Sequence, residues 1–145
     1  MIKKIVIIGP ESTGKSSLCK ALADHFAESY LTDWCPEYAR EYLMENGMDY
    51  SYDDLLTIAK GQLALEDEHT WALQTALDDS GDTSKEAILF VDTDMMVMKV
   101  WSEFVFGKCH SFILDQIAER QYDGYLLANT DLPWTRDALR EYPSE

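Results

Sequence analysis

The sequence predicts an α/β fold, a parallel sheet with helices on both faces, and three observations predict it. The runs Ile5-Val6-Ile7-Ile8 and Ala87-Ile88-Leu89-Phe90-Val91 are almost continuously apolar, the pattern of strands covered on both sides. Helical patterns separate the strand-like segments, the alternation expected of an α/β domain. At the first strand–helix junction stands Gly9-Pro10-Glu11-Ser12-Thr13-Gly14-Lys15-Ser16, a complete GxxxxGK[ST] block.

That block needs a strand before it and a helix after it, and it has both. The backbone N–H groups of such a loop turn inward around phosphates while the following helix aims its positive end at them. Lys15 is placed to reach the β and γ phosphates, and Ser16 offers a hydroxyl to the accompanying Mg²⁺. Gly9, Glu11, Ser12, Thr13, Gly14, Lys15, Ser16 and Ser17 are therefore the candidate nucleotide-binding residues, with ATP and Mg²⁺ the expected cofactors. Gly9 and Gly14 supply the positive φ and close backbone approach that the loop demands. The fold expected is that of a P-loop NTPase.

The first helix is expected from Lys15 to Ala27, with Leu18, Ala21, Leu22 and Phe26 on one face. Ser29 to Asp33 reads as a short strand, and Pro36 is suited to open the next helix because its missing N–H has no partner there anyway. That helix ends near Asn46-Gly47, a stop signal. Ser51 with Asp54 resembles a capping box and predicts a long helix from about Tyr52 to Leu77. Residues 78–86 are polar and form a loop. The second apolar strand ends in Asp92-Thr93-Asp94, followed by helical stretches through Trp101 and from Ser111 to Arg120. Tyr125 to Ala128 is a fourth strand, and residues 129–145 read as a loop with a short helix.

At 145 residues and 46% hydrophobic content, the chain is sized for one domain with one core. No segment approaches the ~20 apolar residues that span a bilayer, and the N-terminal apolar run leads into the phosphate loop rather than a cleavage site. A soluble, cytoplasmic protein is expected. Cys19, Cys35 and Cys109 lack disulfide or zinc spacing, and His25, His69 and His110 lack metal-ligand spacing. The net charge of −15 argues against a nucleic-acid surface. It does not exclude ATP, because remote charges are screened beyond ~8 Å at physiological salt and nearby cations govern the pocket.

Phosphoryl transfer asks a protein for positioned cations, carboxylates for Mg²⁺ and a group to orient or deprotonate the acceptor. Asp92 closes a buried strand, where it would hold Mg²⁺ or take the acceptor's proton. Asp94 leaves the same turn, with helix N-capping as its alternative. Glu37 and Arg40, at i, i+3, share a helix face that suits acceptor recognition or a surface ion pair. Arg136 and Arg140, at i, i+4, suit either a lid whose guanidinium stabilises the transferring phosphoryl or a solvated face. Trp34, Tyr38, Trp101, Phe104, Phe106 and Trp134 offer faces on which a flat cationic ring would stack, although most are expected in the core.

Taken together, Gly9–Ser16, Pro36-Glu37-Tyr38-Ala39-Arg40-Glu41-Tyr42, Asp92-Thr93-Asp94, Trp101-Ser102-Glu103-Phe104-Val105-Phe106-Gly107 and Asp131-Leu132-Pro133-Trp134 with Asp137 and Arg140 resemble the ribosylnicotinamide kinase domain of NadR-type proteins. The resemblance implies ATP-dependent phosphorylation of the 5′-hydroxyl of nicotinamide riboside, giving nicotinamide mononucleotide in NAD salvage. It implies catalytic roles for Lys15, Asp92 and Arg140, metal ligation by Ser16 and Asp92, and an acceptor site formed by Glu37, Tyr38, Arg40, Asp92, Asp94 and Trp134. It also makes residues 131–145 the lid of a single domain spanning 1–145, a standalone kinase lacking the last helix and strand of its relatives. The alternatives are a P-loop kinase for another nucleoside, nucleotide or small metabolite, and a non-catalytic ATP-binding sensor. No NKxD motif marks a GTPase.

Overall fold

A computed structural model of the chain describes residues 1–9 and 14–128. Four strands alternate with helices: β1 (Ile2–Ile8), α1 (Lys15–Phe26), β2 (Leu31–Cys35), α2 (Tyr38–Asn46), α3 (Tyr52–Ser80), β3 (Ala87–Asp92), α4 (Met95–Phe106), α5 (Ser111–Glu119) and β4 (Gly124–Leu127). The strands form one all-parallel sheet in the order β2-β3-β1-β4. The expected fold class is the one observed.

Side-chain alternation along the inner strands builds the two faces. Ile7 of β1 and Ile88 and Phe90 of β3 turn to one side, where Cys19 and Ala23 of α1 cover them with Leu18, Leu22 and Phe26. Val6, Ala87, Leu89 and Val91 turn to the other, under Leu73 and Leu77 of α3. All six residues of β3 are buried, which is why its sequence shows no polar alternation. Burying each large aliphatic side chain contributes about 1.5–3 kcal/mol. A further cluster, including Leu43, Leu55, Ile58, Met98 and Ile113, binds α2, α4 and α5 to the N-terminal half of α3.

Four local expectations shift. Ala21 is exposed, and the buried stripe of α1 runs instead through Cys19 and Ala23. The second strand starts at Leu31 rather than Ser29, because the Ser29 and Tyr30 amides bond back to the Phe26 carbonyl before Leu31 N–H reaches Glu86 O at 3.0 Å. Pro36 does not open α2; Glu37 is the N-cap in extended conformation, and the helix starts at Tyr38. Helix α3 runs three residues past Leu77, to a left-handed Gly81.

The long helix begins as its capping box predicts. Ser51 Oγ accepts the Asp54 amide at 3.1 Å, and Asp54 Oδ2 accepts the Ser51 amide at 2.7 Å. The Tyr42 hydroxyl donates to Asp54 Oδ1 at 2.6 Å, tying α2 to this cap. These donors, the Ser51 backbone first, hold the Asp54 carboxyl below the ordinary aspartate value of 3.8. A depressed folded-state pKa gives stability that is complete above the unfolded value and lost as pH falls through the folded one. Acidification below 3.8 should therefore release the first turn of α3, read as faster amide exchange there. A Ser51→Ala, Asp54→Ala variant should have lost that pH dependence.

Halfway along α3 the carboxylate of Glu66 is 1% exposed and accepts three donors. They are Lys4 Nζ at 3.0 Å, Arg120 Nη1 at 3.1 Å and the Tyr122 hydroxyl at 2.8 Å. This knot ties β1, α3 and the approach to β4 together. Among the described residues no buried side-chain polar atom lacks a partner.

Candidate functional site

In the order β2-β3-β1-β4, the connection after β1 leads away to β2 and the connection after β3 leads back across to β4. Diverging connections leave a crevice beyond the carboxyl ends of these two neighbouring strands, where ligands of open α/β sheets bind. Register places the acid-bearing end of β3 beside the loop-bearing end of β1, with Ile7 opposite Asp92. Thr93 N–H donates to Ile7 O at 3.1 Å and Ala128 N–H to Ile8 O at 2.7 Å, so both sides of the β1 terminus are clasped. Gly9 follows with φ 151°, and a Cβ there would lie 2.6 Å from Ala128 O. Gly14 then opens α1 in the left-handed region, at φ 76°. Glu11, Ser12 and Thr13 lie outside the described residues, as do Trp134, Arg140 and residues 131–145.

Five side chains converge in the crevice. Ser16 Oγ donates to Asp92 Oδ2 at 2.8 Å. Lys15 Nζ stands 3.6 Å from Glu37 Oε2. The Thr93 hydroxyl lies 3.3 Å from both Glu37 Oε2 and Asp92 Oδ1. Asp92 is buried, and burial, with the Glu37 charge second, raises its pKa against the opposing pull of Lys15 and the Ser16 and Thr93 hydroxyls. Two acids and one ammonium thus share a cleft beside a phosphate loop, an arrangement able to accept added cationic charge. Ser16 and Asp92 are hard oxygen donors, the few protein ligands that Mg²⁺ takes while keeping water and phosphate oxygens.

The other described sequence candidates stand on the elements around this crevice and in the helical layer. Asp94 caps α4, its Oδ1 accepting Val97 N–H at 3.2 Å, and it also accepts from the Tyr125 hydroxyl. Burial raises its pKa against those bonds. Tyr38 is half-buried over Gly61, where a Cβ would meet its ring at 2.2 Å. Arg40 is exposed on the first turn of α2, three residues after Glu37, which faces Lys15 and Thr93. Trp101 donates to the Tyr50 hydroxyl at 2.9 Å in the helical cluster, and Trp34 packs under α1. Ser17 is exposed on the first turn of α1. Burial pushes the thiols of Cys19 and Cys35, both fully enclosed, up to about 12. Among the described residues no group of three or more His, Cys, Asp or Glu is arranged to hold a metal by itself.

Two residues that contact Glu37 or the residues flanking it are not marked as site residues by the sequence. Gln62 of α3, 2% exposed, accepts Tyr38 N–H at 2.8 Å and donates to Pro36 O at 3.4 Å, bracketing Glu37 through its backbone. Gln62→Leu should destabilise the protein by about 1–3 kcal/mol, the penalty for stranding buried polar groups, as measured by urea unfolding. Thr93 is the other, and a threonine between two aspartates gives no sequence warning of its backbone conformation.

Phosphate-loop glycines, a lysine and hydroxyl at the following helix, and a buried acid closing the adjacent strand define a P-loop NTPase-like domain. The chain belongs to the AAA domain family, whose model matches residues 4–145. It is 27% identical over 143 residues to the trifunctional NAD biosynthesis/regulator protein NadR of Salmonella typhimurium and, to the same extent, to that of Escherichia coli. Each match covers 99% of this chain and 32% of the relative, so the chain spans about a third of the curated relatives' length. A crystal structure of NadR protein in complex with NR superposes with a TM-score of 0.65 at 24% identity, covering 86% of this chain and 33% of that one. The resemblance drawn from the motifs thus holds as homology to a NadR region. No helix among the described residues is long and apolar enough to cross a membrane.

Proposed function

We propose that this chain is an ATP-dependent kinase that phosphorylates the 5′-hydroxyl of nicotinamide riboside to give nicotinamide mononucleotide. The observation that carries the reading is the gathering of Lys15, Ser16, Glu37 and Asp92 at the adjoining ends of β1 and β3. Lys15 and the amides at the start of α1 take the triphosphate, and Ser16 with Asp92 holds its Mg²⁺. Mg²⁺, when bound, neutralises charge on the transferring phosphoryl group. Glu37, across the cleft, orients the acceptor and complements its cationic pyridinium. Arg140, in a lid formed by residues 131–145, stabilises the transferring group, while Arg40, Asp94 and Trp134 complete the acceptor surroundings. Homology to NadR, a NAD biosynthesis protein, supports nicotinamide riboside over other alcohols.

The test is a panel of nucleosides and small alcohols incubated with Mg·ATP, read by product mass as well as ADP release. Nicotinamide riboside should gain one phosphoryl group fastest. Preferential phosphorylation of another alcohol would reject the substrate, and ATP binding without transfer to any of them would favour a sensor.

A further inference from the structure

Thr93 is buried and β-branched, yet its φ is 82°, and it is the one described non-glycine residue with positive φ. The cause is topological: β3 ends at Asp92 and Asp94 already caps α4, so a single residue must turn the chain from strand to helix. Its amide is fixed meanwhile on Ile7 O. Such a conformation costs on the order of 1–3 kcal/mol for a non-glycine residue. Glycine would meet the backbone demand at lower cost, so the threonine side chain needs its own explanation.

That explanation lies in the hydroxyl, which the left-handed backbone delivers between Glu37 Oε2 and Asp92 Oδ1, 3.3 Å from each. The Lys15 ammonium meets Glu37 in the crevice, at 3.6 Å. A lysine that binds the β and γ phosphates must turn from Glu37 toward them. From that moment the Thr93 hydroxyl still contacts the carboxylate, at 3.3 Å. We infer that Thr93 is a positioning residue whose hydroxyl keeps Glu37 aimed at the acceptor once Lys15 has engaged the nucleotide. The inference rests on the kinase reading for its kinetic consequence but not for its geometric one.

Three variants separate hydroxyl from backbone. Thr93→Ser keeps the hydroxyl, Thr93→Val keeps shape and strain without it, and Thr93→Gly removes both. Crystal structures of each read the position of the Glu37 carboxylate whatever the substrate, and steady-state kinetics read the consequence. Thr93→Val and Thr93→Gly should release Glu37 from Asp92 and lower kcat/KM for nicotinamide riboside by on the order of tenfold to a hundredfold, with KM for ATP little changed. Thr93→Ser should keep Glu37 in place and recover most of the loss. If Thr93→Val does not fold, Thr93→Gly and Thr93→Ser make the same comparison. Glu37 unmoved and kinetics unchanged in the variants lacking the hydroxyl would overturn the inference, as would a serine variant as impaired as they are. Wild-type protein inert toward nicotinamide riboside would reject the kinase reading alone, with the Glu37 position still deciding the role of Thr93.

Discussion

Replacing Asp92 by asparagine is expected to lower kcat about a hundredfold to a thousandfold while the protein stays folded, the scale associated with losing one preorganised electrostatic group in phosphoryl or acyl transfer. Asparagine preserves the shape of the side chain and offers an oxygen to the Ser16 hydroxyl, now bonded at 2.8 Å, so the local geometry survives. What disappears is the charge. In the free protein that charge is unfavourable, since burial and Glu37 both raise the Asp92 pKa. Thermal stability should therefore be equal or higher at neutral pH, and a loss of turnover cannot then be ascribed to unfolding. A variant with kcat near that of the wild type would remove Asp92 from the chemistry.

Lys15→Ala should act at an earlier step. The ammonium lies 3.6 Å from Glu37 in a half-enclosed cleft, and at such distances a charge pair interacts by ~4 kcal/mol for an effective dielectric near 20. Phosphate oxygens would offer the lysine at least as much, so Mg·ATP binding and turnover should both fall by a hundredfold or more. Removing Lys15 also leaves Glu37 and Asp92 without its ammonium between them. Calorimetric titration with Mg·ATP and initial-rate assays check the two losses separately. Unaltered affinity would mean that the lysine does not touch the nucleotide.

These expectations draw on different depths of the sequence. The phosphate loop was legible because its requirements are local: glycines, lysine and hydroxyl are fixed in order along one turn. β3 was legible too, since a strand buried on both faces has no polar alternation to misread. Asp92 followed from being the residue that ends that strand, and the cap at Ser51 and Asp54 from a spacing of three. The start of α2 was missed because Gln62, some 24 residues away along the chain, takes the Tyr38 amide and holds Glu37 outside the helix. The second strand was misplaced because the last turn of α1 recaptures the Ser29 and Tyr30 amides. Thr93 and Glu66 stayed hidden for a related reason, their roles arising only when β1, α3 and β3 are brought side by side. Asp94 had two readings, and its bond to the Val97 amide realises the capping one.

Isothermal titration of Mg·ATP into the folded wild-type protein bears most directly on the claim that the ends of β1 and β3 together hold a triphosphate and its metal. One nucleotide per chain should bind, with affinity that falls sharply when Mg²⁺ is chelated. A protein with intact circular dichroism and cooperative melting that takes up no Mg·ATP would contradict the claim.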